Sequence, residues 1–148
     1  MFHCLFVHIA WTTRDRAPLI DTTLARFLTQ YLRRVGTQER AHVLEIGMVN
    51  DHVHLLARLH PCTVIPRLLQ RMKGGSAVLG VTPTIGHQGL RWDKGYSIHS
   101  VNPRQLHAIR AYIRRQPQHH PERAITGWKG DTWSEMDPIE VEPPPPGD

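Results

Sequence analysis

Two strand-length apolar segments, residues 42–49 and 52–59, are separated only by Asn50-Asp51. Asn and Asp are turn-prone residues of the kind that close a tight hairpin. A two-residue turn leaves one register, with Val49 opposite His52 and Gly47 opposite His54. Side chains alternate along a strand, so His52, His54, Leu56 and Arg58 share one face, and Val53, Leu55, Ala57 and Leu59 line the other. By the same alternation Glu45 joins the histidine face. One side of this hairpin is committed to a core, and the other carries polar chemistry.

The flanking segments extend this unit into a sandwich. Residues 2–12 are apolar on both alternation phases, the pattern of a central strand buried on two faces. Thr13-Arg14-Asp15-Arg16-Ala17-Pro18 breaks that run. Leu24, Phe27, Leu28, Tyr31, Leu32 and Val35 then recur at helical spacing, with Gly36 as the expected stop. A second helix is predicted from Thr63 and Pro66, with Ile65, Leu68, Leu69 and Met72 inward and Gly74-Gly75 weakening it. Residues 80–95 read as a loop and 96–101 as a short strand. Asn102 is expected to cap a third helix with Pro103 at its first position and Leu106, Ile109 and Ile113 inward. Pro117 is predicted to end or kink that helix at Gln116. The order of elements describes an α+β fold, a ferredoxin-like β-α-β-β-α-β sandwich with an additional C-terminal helix. Residues 1–120 would form the domain. Residues 121–148 would be an extension, proline-rich and mobile at its end.

A length of 148 residues is enough for one independent core. Eighteen Lys plus Arg against thirteen Asp plus Glu give a formal charge of +5, which favours a phosphate-rich partner. Cys4 and Cys62 have neither metal-ligand spacing nor a disulfide framework. No segment approaches a membrane span and the amino terminus lacks a signal peptide's pattern, so a cytoplasmic location of bacterial type is expected.

Two histidines at i and i+2 on one strand face can grip a divalent ion, and they can equally be ordinary polar surface. Tyr112 and Gln116, four apart, share a helix face. Tyr112 read alone is as well explained by amphipathic packing. His42, His60, His87 and His107 read as surface or packing residues. Glu45 reads as a solvated strand residue rather than a site group.

The chain resembles the single-tyrosine HUH transposases of bacterial insertion sequences, including the REP-associated tyrosine transposases. The motifs that carry this, in order, are Phe6-Val7-His8-Ile9-Ala10-Trp11-Thr12-Thr13-Arg14 with Arg16 and Pro18, then Asp51-His52-Val53-His54-Leu55-Leu56, then Arg71-Met72-Lys73-Gly74 with Ser76. Trp92-Asp93-Lys94-Gly95-Tyr96 follows, and Tyr112-Ile113-Arg114-Arg115-Gln116 with His119-His120 completes the set. The resemblance covers most of residues 1–120. It implies that Tyr112 is a nucleophile forming a 5′-phosphotyrosine link, and that His52, His54 and Gln116 bind a divalent metal. It further implies a homodimer acting on single-stranded DNA with hairpin ends.

Mg²⁺ or Mn²⁺ suits the proposed phosphate chemistry, and zinc remains compatible with imidazole ligands. No nucleotide cofactor is needed, because a phosphotyrosine bond conserves the phosphodiester energy. Arg14, Arg16, Lys73, Arg91, Lys94, Arg114 and Arg115 are the candidate phosphate contacts. Trp92 is a candidate for stacking on a base or for packing. Tyr96 is the rival nucleophile, disfavoured because no glutamine follows four residues later. Two other functions compete with DNA strand transfer. An inactive DNA-hairpin-binding module would show salt-sensitive binding without cleavage. A histidine-metal phosphoesterase would need neither Tyr112 nor a basic groove.

Overall fold

The computed structural model describes residues 3–80, 89–128 and 130. The expected strand start at Phe2, His87, residues 81–88 of the loop and the proline-rich tail lie outside them.

Strand β1 (Leu5–Thr12) occupies the middle of a four-stranded antiparallel sheet of order β2-β3-β1-β4. Its apolar content on both phases is thereby explained. Val7, Ile9 and Trp11 enter the main core, and Phe6 faces a second cluster across the sheet. Helix α1 (Thr22–Gln38) starts at Asp21, whose carboxylate accepts from Leu24 N at 2.8 Å. Contrary to the sequence reading, Gly36 does not stop this helix. A Cβ there would sit 2.7 Å from Ala41 O and 2.9 Å from Val43 Cγ2, so the glycine permits close approach to β2. The reversal is made at Arg40, whose φ of 61° is left-handed.

Strands β2 (Ala41–Val49) and β3 (His52–Leu59) pair with Val49 opposite His52 and Gly47 opposite His54, the predicted register. A bulge between Val43 and Glu45 shifts the pairing farther out. Alternation counted from the turn therefore holds back to Glu45 and fails beyond it.

Helix α2 (Ile65–Gln70) leads through a π turn, Arg71–Gly75, into α3 (Ser76–Leu79). The Gly74-Gly75 pair, read from the sequence as weakening the helix, falls within this wider turn. A Cβ on Gly75 would meet Tyr31 Oη at 1.8 Å, and that hydroxyl donates to Arg71 O at 3.1 Å. Together with α1, these helices cover the face carrying Val53 and Leu55.

Strand β4 (Ser97–Val101) completes the sheet. Asn102 Oδ1 accepts from Arg104 N at 3.0 Å and opens a 3₁₀ turn, Pro103–Gln105, which runs into α4 (Leu106–Arg114). Helix α4 covers the opposite sheet face, burying Leu106 and Ile113 against Phe6, Leu44 and Leu56. Each such side chain contributes about 1.5–3 kcal/mol by leaving water. Gly47 sets how closely α4 sits, since a Cβ there would lie 1.8 Å from Ile113 O. The fold is the expected α+β, ferredoxin-like sandwich with α4 as the added helix.

Arg115 leaves the helical path with φ −91° and ψ 17°, and α5 (Gln116–His119) begins one residue later. Pro117 thus falls in the first turn of α5, where its missing N–H costs no hydrogen bond. The chain then returns to the body. Ile125 is buried in the main core, and Thr22 Oγ1 donates to Thr126 O. Among the described residues no helix is long and apolar enough to cross a membrane.

Candidate functional site

The β2–β3 turn, the start of β3 and the junction of α4 with α5 converge on the histidine face. His52 is 7% exposed and held at both ring nitrogens. Its Nδ1 lies 2.7 Å from Asp51 Oδ1, and its Nε2 lies 3.0 Å from Gln116 Oε1. Gln116 is fully buried, and its Nε2 donates to Tyr112 O at 3.4 Å, which turns Oε1 toward His52. The break at Arg115 accordingly leaves Gln116 pointing at the histidine pair.

His54 Nδ1 lies 2.8 Å from His8 Nε2. Burial, followed by His52, His8 and His120, pushes His54 down to about 3, so it is neutral at physiological pH. His8 is also lowered, by burial first and then by His99. The Tyr112 ring centroid is 5.8 Å from that of His54 and 6.1 Å from that of His8. Tyr112 is 42% exposed, with His119 against its ring at 5.2 Å between centroids. His120 sits 5.3 Å from His52, centroid to centroid.

The donor set has a character that bears on an ion. With Nδ1–H donated to the Asp51 carboxylate, a neutral His52 presents a lone pair at Nε2 to the lone pairs of Gln116 Oε1. Two acceptors 3.0 Å apart require a cation or a proton between them. Adjacent ligands on an octahedral ion with bonds of about 2.1 Å are also about 3 Å apart. Among the described residues no three His, Cys, Asp or Glu side chains form a ligand group. The set that converges is two imidazoles and an amide oxygen, which fits a hard divalent ion that draws further ligands from phosphate or water.

A cavity of about 440 Å³ opens beside this set, lined by His52, His54 and His120 with Arg16, Lys94 and Tyr96. Arg16 has a left-handed φ of 53° and follows Asp15 at 54°. This tight turn is held by Thr13 Oγ1 donating to Ala17 O at 2.7 Å. Arg14 and Arg91 are exposed and joined through the backbone, Arg14 N donating to Arg91 O. Arg115 is exposed.

Two other candidate cations are engaged with the protein. The Lys73 amine donates to the carbonyls of Asp93 and Gly95, which ties the loop to the π turn. Arg114 Nε lies 3.2 Å from Glu45 Oε1. Glu45 itself departs from the solvated reading. It is 1% exposed and also accepts from Arg110 Nε at 2.8 Å, so it anchors α4 to the sheet. Trp92 donates from Nε1 to Ser76 Oγ at 2.9 Å and meets Trp11 edge-on, so it packs against the core.

Four residues at the site escaped the sequence reading. Asp51 was quoted in the turn and the histidine motif without a role of its own, yet it contacts His52 and lies 3.6 Å from Arg123 Nε. His8 reaches His54 only because Ala10 pairs with His54 across two strands that are not joined by a hairpin. His120 and Arg123 arrive from beyond the kink. A histidine beside Phe6 on one face of an otherwise apolar β1 was the signal available for His8.

Comparison with known proteins bears on the family and the fold. The model of a family described as "Transposase IS200 like" matches residues 2–116. The ISDra2 transposase TnpA of Deinococcus radiodurans is 28% identical over 114 residues, spanning 74% of this chain and 81% of that protein. A crystal structure of a transposase from Deinococcus radiodurans R1, also 28% identical, superposes with a TM-score of 0.60 over 78% of this chain and 93% of that chain. A REP-associated tyrosine transposase bound to a REP hairpin gives a TM-score of 0.63 at 16% identity, covering 80% of this chain and 70% of that one. At that identity the likeness is one of fold.

Proposed function

Because the chain belongs to the IS200-like transposase family, we propose that it cleaves and rejoins single-stranded DNA through a covalent bond between Tyr112 and a 5′-phosphate. The observation that carries this reading is His52 Nε2 facing Gln116 Oε1 at 3.0 Å, one helical turn beyond a half-exposed tyrosine that sits beside His54. The Tyr112 hydroxyl oxygen attacks phosphorus as its proton leaves. The bond from phosphorus to the 3′ oxygen breaks, and that oxygen departs as a 3′-hydroxyl. Attack by another 3′-hydroxyl reverses the step and frees the tyrosine.

A phenol is a poor nucleophile at neutral pH, so this chemistry needs electrophilic help at phosphorus. Mg²⁺ or Mn²⁺ held by His52, His54 and Gln116 would supply it by neutralising charge on the scissile phosphate. Three uncharged ligands leave the ion's charge available to the phosphate. Asp51 keeps His52 in the tautomer that presents Nε2, and the half-buried His8–His54 pair keeps its rings fixed and neutral. Arg16 and Lys94 at the cavity rim are placed to hold neighbouring phosphates.

A relative of the same fold is bound to a REP hairpin, which supports hairpin-ended single strands as the substrate. Joining two cleaved ends requires two tyrosines, and this supports a homodimer, to be measured by light scattering. Purified protein mixed with hairpin-tailed single-stranded DNA and Mn²⁺ should trap a protein–DNA adduct that survives denaturation. Tyr112→Phe should abolish it, and persistence of the adduct in that variant would overturn the assignment. Salt-sensitive binding with no adduct from the unmodified protein would instead identify an inactive hairpin-binding module.

A further inference from the structure

A second cavity, of about 450 Å³, lies at the far end of β3 and is lined by His3, Arg40, His42, Arg58 and His60 among others. Arg58 is on the same strand face as His52, six residues along, which at ~3.3 Å per residue is roughly 20 Å away. Among the described residues no carboxylate lines this cavity. Glu39, next to Arg40 in sequence, turns to Arg67 and Arg71 at 3.0 and 2.9 Å instead. The Nδ1 atom of His3 is buried without a hydrogen-bond partner, against the His60 ring at 5.1 Å between centroids. Burial first, then the nearby Arg40 and His3, holds His60 below the ordinary imidazole value.

Arg40 adds an independent observation. Its φ of 61° is a left-handed conformation that is strained for an arginine and open to a glycine. Its carbonyl is pinned by His60 N at 3.2 Å and Thr63 Oγ1 at 3.1 Å, so the backbone is committed to this turn whatever the side chain. A turn that glycine would suit better carries a guanidinium at the mouth of a cavity lined by cations and imidazoles. Strain retained in this way points to a role for the side chain.

We propose that this cavity is a phosphate-binding site that receives one backbone phosphate of the DNA hairpin, at a distance from the catalytic histidines. The assignment of DNA as the source of the phosphate rests on the transposase reading above. A separation of roughly 20 Å corresponds to about six base-pair rises, so one stem spans both places.

Arg40→Gly is the informative variant because it deletes the cation while suiting the backbone. Its melting temperature should equal or exceed that of the unmodified protein. Binding of a hairpin oligonucleotide should weaken, with the slope of log affinity against log salt falling by about 1, and Arg40→Lys should restore the slope. In a second arm, inorganic phosphate should shift the ring resonances of His3 and His60 in the unmodified protein and not in Arg40→Gly. An unchanged salt slope in Arg40→Gly, with the hairpin still bound, overturns the DNA assignment while leaving the transposase reading intact. If the unmodified protein binds no hairpin, that reading fails and the phosphate arm decides. Resonance shifts would then make the site one for free phosphate, and their absence would overturn it altogether.

Discussion

Asp51 Oδ1 lies 2.7 Å from His52 Nδ1, so the last residue of the β2–β3 turn fixes the orientation of the first residue of β3. The same carboxylate lies 3.6 Å from Arg123, and the Asp51 backbone carbonyl accepts from Thr13 N at 2.8 Å. One turn residue thus joins β1, β3 and the segment beyond α5 around a single imidazole.

Asp51→Ala should therefore act on two observables at once. It leaves a buried N–H without its acceptor and Arg123 with Glu122 as its remaining carboxylate neighbour, a loss of about 1–3 kcal/mol in urea denaturation. Removal of such an outer partner typically weakens metal binding 10–100-fold, which titration calorimetry with Mn²⁺ would read. Unaltered Mn²⁺ affinity would show that Asp51 does not orient His52.

Glu45→Ala tests the attachment of α4. Breaking a buried ion pair by removing one partner costs about 3–5 kcal/mol. Arg114 is 47% exposed at its side chain and can rehydrate, so the lower end of that range is expected. Because Tyr112 rides on α4 and Gln116 follows directly from its end, adduct formation should fall along with the melting temperature.

Much of the fold was legible because it is local. The hairpin register follows from a two-residue turn, and the helices follow from apolar spacing. Gly36 misled, and the role of Gly75 stayed hidden, for a common reason. Glycine signals chain flexibility in sequence, whereas here it marks close approach to Ala41 and to Tyr31, contacts that only tertiary packing creates. Glu45 was similarly opaque, since its partners Arg110 and Arg114 lie more than sixty residues away. The histidine pair was visible at once through alternation. His8 and Asp51 were not, because one depends on strand order and the other looked fully explained by the turn.

Gly47→Ala should separate α4 from the sheet without touching a polar group. The added Cβ would meet Ile113 O at 1.8 Å, a backbone atom that has no rotamer to relieve the clash. Overpacking of this kind costs about 1–3 kcal/mol. The displacement should lower adduct yield by more than it lowers stability at the assay temperature, and equal losses would argue against precise seating of Gln116.

The neutral His54 predicts a specific acid sensitivity. Its folded value of about 3 lies below the ordinary imidazole value of 6.5, so the unfolded chain takes up a proton that the folded chain refuses. The contribution is fully present above about pH 6.5 and is lost as pH falls from there toward 3. His8, lowered in the same direction, adds to it. Denaturation at a series of pH values should show a steep loss of stability between about pH 6.5 and 4, and His54→Gln should flatten that slope. An identical slope in the variant would place the acid sensitivity elsewhere.

The candidate cations divide by what already holds them, and salt dependence separates the groups. Lys73 is bound to two carbonyls, so Lys73→Met should release the 93–95 loop and cost about 1–3 kcal/mol of stability. It should leave the salt slope of DNA binding unchanged. Arg16 and Lys94 line the cavity beside the histidines, so Arg16→Ala and Lys94→Ala should each reduce that slope by about 1 with little change in melting temperature. A lowered slope in Lys73→Met would mean that its amine leaves the loop for DNA on binding. Unchanged slopes in the other two would move the DNA path away from this cavity and toward Arg14, Arg91 and Arg115.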